Sequence, residues 1–448
     1  MPQSPKTSGE CSPAELQLPQ STGSLVNPAE AQLDRVVDLL TADRKAHQRE
    51  IANWAKSDQL ADVDEAVELS IVMPCLDEAD TVGTCILKAI YSFEQLGIRG
   101  EVIIADNGSR DDSVEIAESL GARVIHVDEP GYGAALMGGI EAARGQFVIM
   151  GDADDSYDFS SLRRFYEELK NGADLVQGCR LPGGGGRIMP GAMPWLHHFG
   201  NPGLTWLVQT MFGAKINDVY CGLRGFTKTH YTSLDQRCTG MEFATEMIIK
   251  STLFGAQIRE VPITLHPDGR KAHKQHLRTF RDGWRTLRFF MLLSPRWTFV
   301  VPGLVTGIAG LVGCALVFGR ISLGGAVFDA HTLLLSVLAL LVAAQLGTFA
   351  VIAKCFTASE RILPADPRVE SIAKRMTLER SLWASASLIA AGVAIVGWKS
   401  YAWAATGFGE LDYSTTMRWI IPAAGSIALG VQTAFGGFML SVIRMARR

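Results

Sequence analysis

Residues 1–67 lack any long apolar run, which argues against a cleaved signal peptide in this stretch. The eight cysteines, at positions 11, 75, 85, 179, 221, 238, 314 and 355, contain no C-x-x-C pair, and no His-x-x-x-His spacing accompanies them. That argues against a metal cluster and for reduced thiols used in packing. The long apolar stretches after residue 298 have no interior acid or arginine, which argues against an ion path through them. The net charge of −4 conceals opposite local balances and says little about partners; no nucleic acid is expected among them.

What the chain does have is unevenly placed. Apolar residues make up 48% of it, and their excess lies after residue 298, while charged residues and turn-formers dominate before. The first 28 residues, rich in Ser, Pro, Gln and Gly, read as disordered. From Pro28 a helical pattern follows, with Leu33, Val36, Val37, Leu40, Ile51 and Trp54 among charges. It suits packing on the next domain or on a membrane surface equally, and carries no evident chemistry.

From Glu68 onward, strands and helices alternate with short connections. Residues 68–74, 101–106, 122–127 and 146–151 read as strands, separated by helices ending near Leu96, Leu120 and Ala143. This pattern predicts an α/β domain with a mostly parallel sheet covered on both faces. Ligands of such sheets sit beyond the carboxyl ends of the strands. Those ends carry Asp77 and Glu78, then Asp106, then Asp152 and Asp154.

The stretch Gly151-Asp152-Ala153-Asp154-Asp155 places carboxylates at i and i+2 with a third adjacent. In a half-buried loop they repel one another unless a cation is present, and hard oxygen ligands suit Mg²⁺ or Mn²⁺ shared with a phosphate. An isolated D-x-D is more often an acidic surface turn. Three acidic strand ends in succession reverse that preference. Asp106, before Asn-Gly-Ser, offers acceptor oxygens to a base or ribose; Asp111 and Asp112 read as helix caps. Gly131-Tyr132-Gly133 opens a helix with small residues, a place for an anion or ribose, or a simple glycine turn.

At this point the chain resembles the family-two inverting glycosyltransferases of GT-A fold, and among them the polyprenyl-phosphate sugar synthases. The residues that carry the resemblance are Val72-Met-Pro74-Cys-Leu76-Asp-Glu78, Asp106-Asn-Gly-Ser-Arg-Asp111, Gly131-Tyr-Gly133-Ala-Ala135 and Asp152-Ala-Asp154. The resemblance covers about residues 68–296 and implies a nucleotide site lined by Pro74, Leu76, Glu78, Asp106 and Gly133. It implies that Asp152 and Asp154 hold the donor diphosphate through a metal, Asp154 being counted among the catalytic residues. Ser156 stands where related synthases often have a Gln ligand.

Further on, Pro182 to Pro190 is a glycine-rich loop, read as a lid or a connector, and Trp195 to Phe212 reads as a helix near an acceptor entrance. Arg224, between Gly222 and Gly225, has the fork geometry for a phosphate; the resemblance assigns it to the acceptor phosphate or donor diphosphate. The resemblance also makes Glu246 a candidate for shaping the acceptor pocket. From Leu277, apolar positions 277, 280, 284, 287 and 291 run beside Arg278, Arg281, Arg285 and Arg288, a helix suited to a headgroup layer. Arg270 and Lys271 precede that stripe and are expected to meet an acceptor phosphate.

Apolar stretches at about 299–318, 331–353, 381–398 and 419–443 approach or exceed the ~20 residues that cross a bilayer. The connection 354–380 carries Lys or Arg at 354, 361, 368, 374, 375 and 380, and the tail adds Arg444, Arg447 and Arg448. The other two loops carry only Arg320, Lys399 and Arg418, so the long loop, both termini and the first domain are expected in the cytoplasm. Gly303, Gly307 and Gly310 suit close helix packing, which leaves homo-oligomer contacts open.

The expected organisation is an extension (1–67), a GT-A catalytic domain (68–268), a basic amphipathic juxtamembrane segment (269–297) and a four-helix transmembrane domain (298–448). The expected function is metal-dependent, inverting transfer of a sugar from a UDP- or GDP-linked donor to a polyprenyl phosphate. The alternatives are transfer to a lipid hydroxyl, giving a glycolipid, and a non-catalytic membrane scaffold that binds sugar nucleotides.

Overall fold

The computed structural model describes residues 67–270, 279–323 and 325–445. Residues 1–66 of the expected extension, Lys271, Arg278, Arg447 and Arg448 lie outside the described residues.

The centre of the α/β domain is strand β1 (Leu69–Cys75), whose sequence is apolar on both faces because helices cover the sheet from both sides. It pairs in parallel with β2 (Gly100–Asp106) on one side and β4 (Phe147–Met150) on the other. Strand β3 (Arg123–His126) extends the sheet beyond β2. After β4 come β5 (Leu175–Cys179), a two-residue β6 (Arg187–Ile188), β7 (Arg224–Thr227), β8 (Ile258–Pro262) and a two-residue β9 (Thr264–Leu265). The seven-stranded sheet has the order β3-β2-β1-β4-β7-β5-β8, with β7 antiparallel to both neighbours and every other pairing parallel. This is the GT-A architecture, and the expected mostly parallel sheet is present.

Helix α1 (Val82–Leu96) connects β1 to β2 and stops at Gly97, whose φ of 63° needs no Cβ. Its buried face is Val82, Cys85, Ile86, Ala89 and Phe93, interrupted by Lys88. Helices α2 (Ser113–Ser119), α3 (Tyr132–Ala142) and α4 (Arg163–Lys170) make the next crossovers. The glycine-rich loop is an ordered connector: Arg187 N–H donates to Ile263 O at 2.9 Å and Met189 N–H to Leu265 O at 3.0 Å.

Helix α5 (Trp195–Phe212) matches its expected bounds. After α6 (Lys228–Leu234) and α7 (Glu242–Leu253), α8 (Thr279–Leu293) buries Phe290 edge-on against Phe212 of α5, ring centroids 6.1 Å apart. Of the expected apolar stripe, Trp284 is 64% exposed, Met291 is exposed and Leu287 is half-buried, while Leu277 and the side chain of Phe280 lie outside what is described.

Among the described residues, four helices are long and apolar enough to cross a membrane: Arg296–Phe318, Ala330–Ser359, Leu378–Ala405 and Tyr413–Met445. The first comprises a π-helical turn (Arg296–Val300) and α9 (Val301–Phe318); the others are α10, α12 and α13, with α11 (Pro367–Arg375) lying in the basic connection between α10 and α12. All run past the apolar stretches read from sequence, because a helix keeps its backbone bonds satisfied into polar flanks where composition no longer marks it.

Candidate functional site

The parallel register sets the carboxyl ends of β1, β2 and β4 side by side, Cys75 opposite Asp106 and Val72 opposite Met150. The loop after β1 is pinned to the turn after β2: Ser109 Oγ accepts from Asp77 N–H at 3.0 Å, and Asp77 Oδ1 accepts from Arg110 N–H at 2.7 Å. Asp77 stands at φ 58°, a left-handed conformation that Asp tolerates better than most residues. Asp111 joins the same lattice, its Oδ2 accepting from Ala79 N–H at 3.0 Å. Asp112 makes no side-chain cap at α2, so the cap expected of it is absent.

Asp106 is buried, and its oxygens accept from Gly108 and Ser109 N–H at 3.2 and 3.1 Å, with His126 Nδ1 at 3.3 Å. Burial pushes its carboxyl up, but the bonds from Ser109, Gly108 and His126 outweigh this and hold it below the usual range. The carboxylate is thus largely occupied in shaping its own turn. Of the other residues expected at the nucleotide site, Pro74 is half-buried beside Ala105 and Leu76 is 40% exposed at the strand mouth.

The segment after β9 returns to these strand ends. Gly269 N–H donates to Asp154 O at 2.9 Å, and His266 N–H to Ser156 O at 2.9 Å. This places the Arg270 guanidinium among carboxylates: Nε lies 2.9 and 2.7 Å from the two oxygens of Glu78, Nη1 3.0 Å from Asp268 and Nη2 3.7 Å from Asp154. Burial raises the Glu78 carboxyl, partly countered by Arg270. Asp154 Oδ1 accepts from Ser156 N–H and Oγ at 3.0 and 2.6 Å, so Ser156 orients the acid it follows. Asp152 is half-buried, and burial together with the nearby Asp154 charge pushes its carboxyl up to about 7. A Cβ at Gly222 would lie 2.8 Å from Asp152 Oδ2, so only glycine allows this approach.

Three expectations are corrected. Arg224 starts β7, fully buried in the sheet, and its guanidinium donates to the carbonyls of Cys221 (3.0 Å), Val219 (2.8 Å) and Ala244. With its donors on main-chain acceptors it braces the turn before β7 and does not present a fork to a phosphate. Glu246 is also internal: it pairs with Lys250 at 2.7 Å and accepts from Arg237 and Cys238 N–H at 3.0 and 2.9 Å. The glycines of α3 are closed over rather than open to an anion. Gly131 N–H donates to Asn107 Oδ1 at 2.7 Å, Ala134 N–H donates to Thr239 O at 3.0 Å, and a Cβ at Gly133 would lie 2.3 Å from Cys238 O.

Tyr132, whose hydroxyl lies beside the Asp152 carboxylate, Asp268 and Lys88 are site neighbours that sequence reading missed. The available signal for Lys88 was a lysine interrupting the apolar face of a helix; the other two carry no local signature.

The donor set suits a hard divalent cation. Asp152 and Asp154 are held close enough for one to suppress ionisation of the other, which a cation would relieve. Two carboxylates leave coordination positions for phosphate oxygens and water, as Mg²⁺ and Mn²⁺ sites commonly do.

The sequence pattern described as Glycosyl transferase family 2 matches residues 70–213, and that described as Glycosyltransferase family 2 C-terminal transmembrane region matches 351–444. A low-salt glycan biosynthesis hexosyltransferase, Agl6, from Haloferax volcanii is 36% identical over 383 residues, 85% of this chain and 90% of that protein. A dolichyl-phosphate hexose transferase from the same organism is 30% identical over 217 residues, 48% of this chain and 89% of that one. Glucosyl-3-phosphoglycerate synthase from Mycobacterium tuberculosis, with Mn²⁺ and UDP bound, superposes with a TM-score of 0.37 at 19% identity over 50% of this chain and 78% of that one.

Proposed function

Because the chain belongs to the family-two glycosyltransferases, as a membrane enzyme with a GT-A domain and a C-terminal transmembrane region, we propose that it transfers a sugar from a nucleotide sugar to a polyprenyl phosphate. The donor is UDP- or GDP-linked, and the anomeric configuration inverts.

One observation supports the phosphate acceptor over a lipid hydroxyl. A hydroxyl needs a general base, and the two acids placed to be considered are committed elsewhere: Glu246 to Lys250 and Asp155 to Lys88, both in buried ion pairs. A phosphate monoester is already an anionic nucleophile near neutral pH and needs no such base. The likeness to a protein named dolichyl-phosphate hexose transferase agrees with this acceptor class.

In this reading Asp152 and Asp154 hold a divalent cation, which when bound supplies charge stabilisation to the departing diphosphate. Glu78, Pro74, Leu76 and Asp106 bound the nucleotide side of the mouth. Ser156 fixes the Asp154 carboxylate, and Arg270 supplies a positive charge between Glu78 and Asp154. Helix α8 presents Trp284, Met291 and Leu292 outward beside the first span, so the lipid chain stays in the bilayer while its phosphate reaches the strand ends. The excess of Lys and Arg in the 354–380 connection and the tail supports a cytoplasmic catalytic domain and cytoplasmic termini.

The test is incubation of the purified protein, in membranes containing polyprenyl phosphate, with radiolabelled UDP- and GDP-sugars and Mn²⁺. A labelled lipid destroyed by mild acid supports the proposal. An acid-stable glycolipid supports the hydroxyl acceptor, and absence of any transfer or hydrolysis supports a scaffold.

A further inference from the structure

Asp155 adjoins the metal-binding candidate Asp154 but takes a different direction. It stands at φ 59°, and its carboxylate is turned into the protein, where Oδ1 accepts from Lys88 Nζ at 2.6 Å. Both side chains are buried, at 4% and 7% exposure. Lys88 lies on α1, and the turn leading into that helix carries Glu78, whose Oε2 accepts from Thr81 Oγ1 at 3.3 Å. One rigid helix therefore contacts both acidic walls of the mouth: Glu78 at its beginning and the Asp154 loop through Lys88. Main-chain bonds from Gly269 and His266 hold the other edge of that loop.

We propose that Lys88 is a positioning residue for the metal site: by anchoring Asp155 in a left-handed turn, it fixes the direction in which Asp154 presents its carboxylate. This rests on the reading of Asp152 and Asp154 as metal ligands. The physical reason is that successive side chains across a tight turn cannot be oriented independently. Holding residue 155 inward at φ 59° leaves residue 154 facing the mouth. Outer groups that orient a ligand commonly govern metal affinity by about 10- to 100-fold.

The experiment is titration of the full-length protein with Mn²⁺ in the presence of UDP or GDP, followed by electron paramagnetic resonance of the free ion. Thermal unfolding is measured in parallel. Lys88→Met is expected to weaken Mn²⁺ binding by about 10- to 100-fold. Asp155→Asn, which tolerates the same backbone conformation and still accepts from Lys88, is expected to retain most of it. Arg123→Met breaks the 2.8 Å pair with Glu101 at the opposite ends of β2 and β3. It is expected to lower Tm and leave Mn²⁺ affinity at the wild-type value.

If Lys88→Met does not fold, Lys88→Gln keeps a donor of similar reach, and an intermediate affinity is expected. Wild-type affinity in whichever Lys88 variant folds overturns the inference and leaves the function standing. Failure of the wild-type protein to bind Mn²⁺ with either nucleotide overturns both.

Discussion

Arg270 Nε lies 2.7 Å from Glu78 Oε2, joining two residues 192 positions apart at the mouth of the sheet. With Asp268 and Asp154 also within ion-pair distance, this guanidinium is a countercharge of the acidic site. A cation entering beside Asp154 meets its repulsion. Arg270→Ala is therefore expected to tighten Mn²⁺ binding without nucleotide by about tenfold (~1.4 kcal/mol) while lowering the transfer rate. Calorimetric Mn²⁺ titration of the two proteins checks this, and equal affinities would remove Arg270 from the electrostatics of the site.

Asp152 makes the site pH-sensitive in a defined direction. Its carboxyl is pushed up to about 7, whereas in an unfolded chain an Asp ionises near ~3.9. Between those values the native state holds more protons than the unfolded one, so this group makes metal-free stability fall as pH rises through that window. Mn²⁺ competes with the same proton. Its affinity is expected to increase from pH 6 to pH 8 with proton release, detectable as a dependence of binding heat on buffer ionisation. Asp152→Asn should abolish that dependence.

The strand ends were legible because each is marked locally: a short apolar run, then an acid at a turn. Asp152 and Asp154 lie two residues apart, so their proximity needs no knowledge of the fold. The spans were legible by length and composition alone. Arg270 was assigned to an acceptor phosphate because its neighbours in sequence are basic, whereas its neighbours in space are Glu78, Asp154 and Asp268. Flanking glycines suggested that Arg224 could approach a phosphate closely. Its strand is a short one between β4 and β5, and an arginine can be buried there only because three carbonyls converge on it. Such convergence is a property of tertiary structure and has no pattern in the chain.

Arg224 provides a test that separates bracing from substrate contact. Arg224→Met leaves buried carbonyls of Cys221, Val219 and Ala244 without a donor, each costing about 1–3 kcal/mol. The expected result is a marked fall in Tm, with KM for the lipid acceptor unchanged in the fraction that remains folded. A selective rise in that KM at wild-type Tm would restore the phosphate-binding role.

Spans α12 and α13 meet by close helix contact. A Cβ on Gly392 would lie 2.6 Å from Ala423 O, and one on Gly430 2.9 Å from Ser385 O, so α12 and α13 approach through small residues on both sides. Lipid tails are as apolar as leucine, so removing such contacts is not offset by hydrophobic gain. Gly392→Leu is expected to force the pair apart at a cost of about 1–3 kcal/mol, read as a lower unfolding midpoint in detergent. Gly397, whose added Cβ meets nothing within 4 Å, supplies the control. Gly397→Leu should leave the midpoint nearly unchanged, apart from any effect of helix propensity. Equal midpoints for the two variants would mean that α12 and α13 do not pack through Gly392.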